Sequence, residues 1–298
     1  MSQPPLLFDQ PALQMRRARA ARQFAARPAA APDFLLRRVA EDFSERLHVI
    51  RRTFADAIDL GCHHGLLGRK LTAEHAPLSM LSADACENML RLAADPRIRV
   101  DLEHLPFAPE SADLIVSGLA LQSVNDLPGA LAHIRATLRP DGLFLGALLG
   151  GQTLVELREA FLVAETELDH GVSPHIAPAI DVRDLGTLLQ RAGFALPVVD
   201  SDVVSVTYAH PLALLHDLRA MGATNVLSER CRTFLRRDVL ARAMAIYQAR
   251  FANADGRVRA TFEILTATAW APHGSQQKPL KRGSATTRLE DALKAKAP

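Results

Sequence analysis

The sequence is poor in cysteine, carries almost no net charge and lacks a long apolar run. Its 298 residues include only three cysteines, Cys62, Cys86 and Cys231, an odd number at wide spacing. We therefore expect reduced thiols and a cytoplasmic protein rather than a disulfide-linked secreted one. The longest apolar stretch, residues 142–151, is far shorter than the roughly 20 residues that cross a bilayer, and we expect no secretory signal.

A net charge of +2 is too small to indicate a nucleic-acid partner. The positive charge is nevertheless concentrated in an alanine-rich stretch before Pro28, which holds Arg16, Arg17, Arg19, Arg22 and Arg27. We expect residues 1–32 to form a basic, solvated and partly helical arm. Two alternatives stay open. One is a surface for an acidic partner or an anionic membrane, which would hold the protein peripherally on the inner face of the cytoplasmic membrane. The other is a mitochondrial presequence, which Asp9 and the lack of a serine-rich stretch disfavour.

The first half of the chain alternates between short apolar runs and amphipathic segments. The apolar runs predict buried strands at residues 57–60, 78–83, 98–100, 114–116 and 143–149. The amphipathic segments predict helices at residues 33–49, 66–75, 86–93 and 128–138. Strands that alternate with helices at this spacing indicate βαβ units and a doubly wound, mostly parallel sheet.

After Gly151 this regular alternation ends, and two long strands are separated by helices. Helices are predicted at residues 154–168, 181–192, 212–221 and 238–251, and strands at residues 198–208 and 258–269. The fold class is therefore α/β, with a seven-stranded sheet in one domain over residues 33–273 and its core at residues 55–150. Helical insertions near 151–192 and 210–257 would form a cap at the strand ends. Residues 274–298 would form a tail, and Trp270 is predicted to pack in the core.

Three polar features follow the first three strands. Asp59 ends the first strand, and Gly61 and Gly65 follow in a turn where backbone amides could approach a ligand closely. Asp84 ends the second strand, where a carboxylate can accept hydrogen bonds from ribose hydroxyls; the alternative is a helix cap before Cys86. Asp101, four residues before the segment Leu-Pro-Phe at 105–107, could meet an adenine amino group, or it could be a plain loop acid.

These motifs, in this order, resemble the class I S-adenosylmethionine-dependent methyltransferases over residues 59–142. Later motifs resemble, more narrowly, the bacterial relatives of mitochondrial complex I assembly factor 5. These motifs are Asn125-Asp126-Leu127-Pro128, Gly150-Gly151-Gln152-Thr153-Leu154, Glu156-Leu157-Arg158, Ala164-Glu165-Thr166-Glu167, Ser173-Pro174-His175, Arg191-Ala192-Gly193-Phe194 and Gly283-Ser284-Ala285-Thr286. A more distant resemblance is to the malonyl-carrier-protein methyltransferases of biotin synthesis.

The resemblance implies an S-adenosylmethionine cofactor and a protein partner, a peripheral-arm subunit of respiratory complex I that is modified on an arginine during assembly. The cofactor residues that it implies are Asp59, Gly61, Cys62, His63, Gly65, Asp84, Ala85, Asp101, Leu102, Ser117 and Gln122. It identifies no catalytic residue. On this basis, Asp84→Ala is predicted to abolish cofactor binding and to leave the fold intact.

The sequence departs from the family at two places. His63 and His64 replace a Gly-Arg pair, and His63 would adopt a positive φ at a strain of about 1 kcal/mol, with its ring in the space of the methionine moiety. Gln122 and Ser123 replace His-Trp. An active enzyme, an inactive assembly chaperone and a carrier-protein methyltransferase therefore all remain open.

Methyl transfer requires positioning, desolvation and a base for the acceptor's proton. A guanidinium acceptor would need nearby carboxylates, and Glu156, Glu165 and Glu167 are candidates, although a solvated helix face is the favoured interpretation of all three. No cluster with metal-ligand spacing is present, so no metal is predicted.

Overall fold

The computed structural model describes residues 6–28, 31–76, 78–168, 171–277 and 283–284. The helices are α1 (Gln10–Ala26), α2 (Phe34–Val49), α3 (Leu66–Glu74), α4 (Glu87–Leu90), α5 (Leu127–Thr137), α6 (Val155–Glu167), α7 (Val182–Arg191), α8 (Pro211–Ala220) and α9 (Arg237–Phe251). The strands are β1 (Asp56–Leu60), β2 (Ser79–Asp84), β3 (Arg97–Arg99), β4 (Ala112–Gly118), β5 (Leu138–Leu149), β6 (Ala195–Tyr208) and β7 (Val258–Trp270).

The strands form one seven-stranded sheet in the order β3-β2-β1-β4-β5-β7-β6. Strands β1 to β5 run parallel, whereas β7 lies antiparallel between β5 and β6. The predicted fold class is therefore confirmed. Chain order reverses between β1 and β4, and parallel sheets bind ligands beside the carboxyl ends of strands at such a reversal. The fold thus places the predicted ligand residues at one edge of the sheet.

The helices cover both faces of this sheet. One apolar core joins α2, α3, α6, α8 and α9 to the sheet, and a second core joins α5 and α7 to the opposite face. Helices α6 to α9 therefore lie on the faces of the sheet rather than in the predicted cap. The long strands β6 and β7 widen the sheet, so the apolar sides of these helices can pack against it. Connecting segments, such as residues 175–179 and 221–226, reach the strand ends. Trp270 packs beside Phe54 as predicted, with ring centroids 6.5 Å apart.

Helix α1 packs against the domain, so the prediction of a solvated arm is wrong for its inner side. Ala20, Ala21 and Arg17 are buried, and the Phe24 ring lies 4.1 Å from that of His64. The residues before α1 are also fixed: Phe8 N donates to Asn125 Oδ1 at 2.8 Å. Alternating alanines and arginines give this helix one narrow side that fits closely against its neighbours.

Predicted helix 86–93 shortens to one turn at Glu87–Leu90, because the chain must return to the sheet at Arg97. Most of the predicted C-terminal tail lies outside the described residues. In the described part of the chain, no helix is both long enough and apolar enough to span a membrane.

Candidate functional site

A cavity of about 610 Å³ lies along the carboxyl-terminal edge of the parallel strands. Its volume is in the range of small-molecule sites. Of the predicted cofactor residues, five border it: His63, Ala85, Asp101, Leu102 and Gln122. The others lie behind its wall, namely Asp59, Gly61, Cys62, Gly65, Asp84 and Ser117. The structure thus brings the predicted residues to one place but exposes fewer than half of them.

The glycine turn after β1 has the backbone form that the sequence predicts. Gly61 and Gly65 have φ angles of 73° and 76°, a region that favours glycine. A Cβ atom on Gly61 would lie 2.2 Å from the Cβ atom of Ala120, so a side chain does not fit there. His63 has a φ of 52°, as predicted for the residue that replaces a glycine.

Asp84 is fully buried, and its carboxylate already has three donors. Cys86 N donates to Oδ1 at 2.7 Å. This is a local turn contact rather than the helix cap that was the alternative to ligand binding, because the N-cap of α4 is Cys86. His63 N donates to Oδ2 at 3.0 Å, and Arg17 Nη2 forms an ion pair with the same oxygen at 2.9 Å. The exposed fractions of the Arg17 and Asp84 side chains are 7% and 0%. The predicted ribose carboxylate is therefore covered by a cation from α1.

The His63 ring closes the neighbouring part of the site. Its Nδ1 atom lies 2.9 Å from Arg17 Nη2, and its Nε2 atom lies 3.0 Å from Gly118 O. Because the guanidinium and the carbonyl have opposite roles, Nδ1 accepts and Nε2 donates. Burial, and then the Arg17 charge, hold the pKa of His63 well below its ordinary value, so the ring is neutral. A neutral ring is the form that both hydrogen bonds require.

Asp101 is the accessible carboxylate of the site. Its side chain is 65% exposed, and its Oδ1 atom accepts from Glu103 N at 3.0 Å. Asp101 and Leu102 border the cavity beside Ala85. This end therefore offers an accessible hydrogen-bond acceptor and an apolar wall, which are the features that an adenine ring needs.

Asp59 and Cys62 lie too deep to touch a ligand. Asp59 Oδ2 accepts from Gly68 N at 3.0 Å, whereas its Oδ1 atom is buried without a partner. Burial, opposed by that hydrogen bond, raises the pKa of Asp59 to about 7. Burial also raises the pKa of the Cys62 thiol, so it is unreactive at neutral pH. Both residues are buried and support the glycine turn after β1 without bordering the cavity.

Two of the predicted cofactor residues have a further polar atom that is buried without a hydrogen-bond partner, Ser117 Oγ and Gln122 Oε1. The other end of the Gln122 amide donates to Leu119 O at 2.8 Å, so Oε1 is held at the cavity as an unused acceptor. Buried polar atoms are rarely left unpaired. The Asp101 end and Gln122 therefore fit S-adenosylmethionine as they stand, whereas Asp84 fits only after Arg17 moves away.

The far end of the cavity, beside β5, contains residues to which the sequence assigned no role in the site. Arg158 and His175 border it, together with Thr153 and Thr224. His175 belongs to the motif Ser173-Pro174-His175. Its position at the cavity could not be predicted from neighbouring residues, because its partner Glu165 lies ten residues away on α6. Arg17 was missed because nothing in an arginine-rich helix marks which arginine faces inward.

The three candidate glutamates do not border the cavity. Glu156 and Glu165 are buried, so the prediction of a solvated face is wrong for them. Glu156 Oε2 accepts from Thr261 N at 3.1 Å, and Glu165 Oε1 lies 2.7 Å from His175 Nε2. Glu167 lies on the surface beside Arg242, as predicted. Across the described ranges, no group of three or more His, Cys, Asp or Glu residues could hold a metal ion.

Comparisons with known proteins agree with this fold. A methyltransferase-domain family matches residues 58–146. Two solved structures share the fold at TM-scores of 0.56 and 0.54: the YcgJ protein of Bacillus subtilis and a putative methyltransferase of Bacillus halodurans. The first is 12% identical over 80% of this chain and 100% of that one, and the second is 14% identical over 79% and 99%.

Relatives with much higher identity cover most of the chain. The zebrafish arginine-hydroxylase NDUFAF5, mitochondrial, is 41% identical over 88% of this chain and 83% of its own, and the human protein is 42% identical over 85% and 74%. A malonyl-acyl-carrier-protein O-methyltransferase of Laribacter hongkongensis is 34% identical over 84% and 86%. These matches confirm the predicted S-adenosylmethionine cofactor. The chain belongs to the class I S-adenosylmethionine-dependent methyltransferases, within the family of the mitochondrial arginine-hydroxylase NDUFAF5.

Proposed function

We propose that this protein binds S-adenosylmethionine at the carboxyl-terminal edge of its sheet and modifies an arginine side chain of a protein. The substrate would be a peripheral-arm subunit of respiratory complex I, modified in the cytoplasm during assembly. The observation that carries the proposal is one continuous cavity, with Asp101 at one end and His175 at the other. The names of the two NDUFAF5 relatives support arginine as the acceptor.

Different residues of the chain would bind different parts of the cofactor. Asp101 and Leu102 would bind the adenine, Gln122 would accept a hydrogen bond from the amino-acid moiety, and Asp84 would bind the ribose. For Asp84 to contact the ribose, Arg17 must first move away from it. Cofactor binding would therefore replace the ion pair of Asp84 with hydrogen bonds from neutral ribose hydroxyls. When bound, S-adenosylmethionine supplies an activated methyl group.

A second candidate acceptor is a carboxylate, as in the malonyl-acyl-carrier-protein relatives. Arg158 favours it. This side chain borders the cavity, and the hydrogen bond that its Nη1 atom donates to Gly151 O is a long one, at 3.4 Å. Among the described residues no carboxylate pairs with it. A cation in that position would attract an anionic acceptor.

A third candidate is an assembly chaperone that does not use the cofactor. The arrangement around Asp84 favours it, since Arg17 and His63 already satisfy the carboxylate and fill part of the site. The accessible Asp101 and the unpaired Gln122 oxygen weigh against it, because a site without a ligand has no use for either.

Calorimetric titration and mass spectrometry would test these candidates together. The purified protein would be titrated with S-adenosylmethionine and S-adenosylhomocysteine. It would then be incubated with S-adenosylmethionine and complex I subunits, whose peptides would be searched for an arginine that gains a methyl group or an oxygen atom. A parallel incubation would contain malonyl-carrier-protein, and co-purification of the protein with the subunits would report complex formation. Modified arginine supports the proposal, and methyl ester formation on a malonyl-carrier-protein supports the second candidate. Complex formation without cofactor binding supports the third.

A further inference from the structure

Four arginines lie together where helix α1 packs beside α8. Arg16, Arg19 and Arg22 follow one another at every third position of α1, and Arg219 lies in the last turn of α8. Residues three positions apart are neighbours on a helix surface. Burial, and then the charges of the other three arginines, lower the pKa of Arg19, so all three lie close enough to repel it. These four residues form the arginine row.

The arginine row has no hydrogen-bonded counter-ion among the residues that the structure describes. Arg16 and Arg19 are half-buried, whereas Arg22 and Arg219 are exposed. Three nitrogen atoms of the row, Arg16 Nε, Arg19 Nε and Arg19 Nη2, are buried without a hydrogen-bond partner. Buried polar atoms are rarely left unpaired. The row can therefore still bind an anion.

Two carboxylates near the row face other groups. Asp9 forms an ion pair with Arg230 at 2.9 Å, and its charge affects the pKa of Arg16 less than burial and the neighbouring arginines do. Asp217 lies two positions before Arg219, and helix residues two positions apart do not face each other. Its carboxyl group interacts with Tyr208 instead. Neither acid neutralises the row.

The row adjoins the cavity of the candidate site. A Cβ atom on Gly222 would lie 3.3 Å from Arg17 Cα and 3.5 Å from Arg16 O, so the turn after α8 contacts α1 closely. Residues 221–226 border the cavity, and so does Arg17. A peptide that enters the cavity across this turn would therefore pass the arginine row.

A groove continues the positive surface beyond the row. It has a volume of about 560 Å³ and lies between the end of α1 and α8. Its lining includes Arg27, His216 and Arg219, and none of the described residues that border it is acidic. The row and the groove share Arg219, so they form one continuous surface.

We propose that the arginine row binds an acidic segment of the protein substrate, next to the arginine that enters the cavity; the inference rests on the proposed arginine-modifying function. Six positions of helix separate Arg16 from Arg22, a distance of about 9 Å along the axis. An extended segment of about three residues spans that distance. Carboxylates on such a segment can accept paired hydrogen bonds from successive guanidiniums.

The shape of the surface favours a peptide over a lipid bilayer. Arg16 and Arg19 are recessed, so a flat membrane would meet only the exposed Arg22 and Arg219. The carboxylate of a glutamate side chain can reach the recessed pair. Acidic residues beside the acceptor would also offset the repulsion between the cationic acceptor and the row, and complementary charges fix the orientation of a bound partner.

Fluorescence anisotropy with a labelled peptide tests the surface without turnover. The full chain would be titrated with a short peptide that alternates glutamate with glycine, and with a control peptide that alternates glutamine with glycine. The test variant is Arg16→Gln with Arg19→Gln. The matched control variant is Arg183→Gln with Arg191→Gln, which removes two exposed positive charges from α7, on the other face of the sheet.

We expect the glutamate peptide to bind, the glutamine peptide not to bind, and the affinity to fall as salt is added. The test variant should lose about tenfold or more in affinity, because two charge-assisted contacts are removed, whereas the control variant should bind like the wild type. Melting curves should show that the test variant is no less stable than the wild type, because the removed charges repel one another.

Equal affinity of the test variant and the wild type would overturn the proposal. Tighter binding to phosphatidylglycerol vesicles than to the peptide, lost in the test variant, would replace it with a membrane surface. A melting temperature raised by inorganic phosphate, with no peptide binding, would replace it with a site for a small anion.

Turnover separates a failure of this inference from a failure of the proposed function. Two peptides with a central arginine would be compared as substrates, one flanked by glutamates and one by glutamines. We expect the glutamate-flanked peptide to have a KM lower by about tenfold at unchanged kcat, and the test variant to lose this difference. Equal KM values for the two peptides would overturn the inference, whereas a wild type that modifies no arginine in any substrate would refute the proposed function.

Discussion

Replacing Arg17 with methionine tests how the cofactor site is closed. Methionine keeps much of the length of the side chain but removes the guanidinium that pairs with Asp84 at 2.9 Å. The carboxylate would stay fully buried with two backbone donors, His63 N and Cys86 N. The substitution therefore leaves a charge without its counter-ion.

The cost can be worked from this geometry. Removing one partner of a buried ion pair costs about 3–5 kcal/mol, and two remaining charge-assisted hydrogen bonds place Arg17→Met at the lower end, about 3 kcal/mol. For a domain of this size that corresponds to a melting temperature lower by roughly 6–12 °C. Cofactor affinity should move the other way, because the ribose no longer has to displace the cation. A tenfold gain would use about 1.4 kcal/mol of the pair's energy.

Melting curves and calorimetric titration with S-adenosylmethionine measure both effects. We expect Arg17→Met to melt lower than the wild type without cofactor and to show a larger increase in melting temperature with it. Arg22→Met on the exposed side of α1 is the control and should change neither quantity. Weaker cofactor binding by Arg17→Met would refute the reasoning, since it would mean that Arg17 holds the cofactor rather than competing with it.

The remaining predictions concern single residues of the site. His63→Gly should strengthen cofactor binding in titration, because glycine suits the φ of 52° and removes the ring that fills the site; unchanged affinity would show that the ring does not obstruct. Asp101→Ala should weaken binding by about tenfold, the effect of losing one hydrogen bond to the adenine, without a change in melting temperature; equal affinity would place the adenine elsewhere. Asp59 has a pKa raised to about 7, so the stability that it contributes is present at low pH and is lost as pH rises through that value. Between pH 5 and pH 8 the wild type should therefore lose about 2–3 kcal/mol of unfolding free energy at this site. Asp59→Asn should lack that loss in urea titrations, and an identical pH dependence would contradict the raised pKa.

The arrangement around Asp84 changes one expectation from the sequence. Asp84→Ala was predicted to abolish cofactor binding without effect on the fold. In the structure it would leave the Arg17 guanidinium buried and unpaired, so a loss of binding could come from instability alone. Arg17→Met together with Asp101→Ala gives a clearer test of the site.

The sequence by itself determined the sheet and the adenosine end of the site. Apolar runs such as residues 57–60 and 114–116 form parallel strands because each run is buried on both faces of the sheet. Carboxylates that directly follow such strands must come to one edge, so Asp84 and Asp101 could be placed from their positions along the chain. The glycines of the turn could be predicted as well, because their φ angles depend on local chain geometry.

Only the tertiary structure decided what surrounds these residues. Arg17 and Asp84 are 67 residues apart, and the identity of the inward-facing arginine depends on how α1 rotates against α4 and α8. Glu165 and His175 form a pair only because an irregular segment returns to α6. Strand and helix periodicities describe an element's own faces, whereas an ion pair between elements depends on the packing angle and rotation that the whole core imposes.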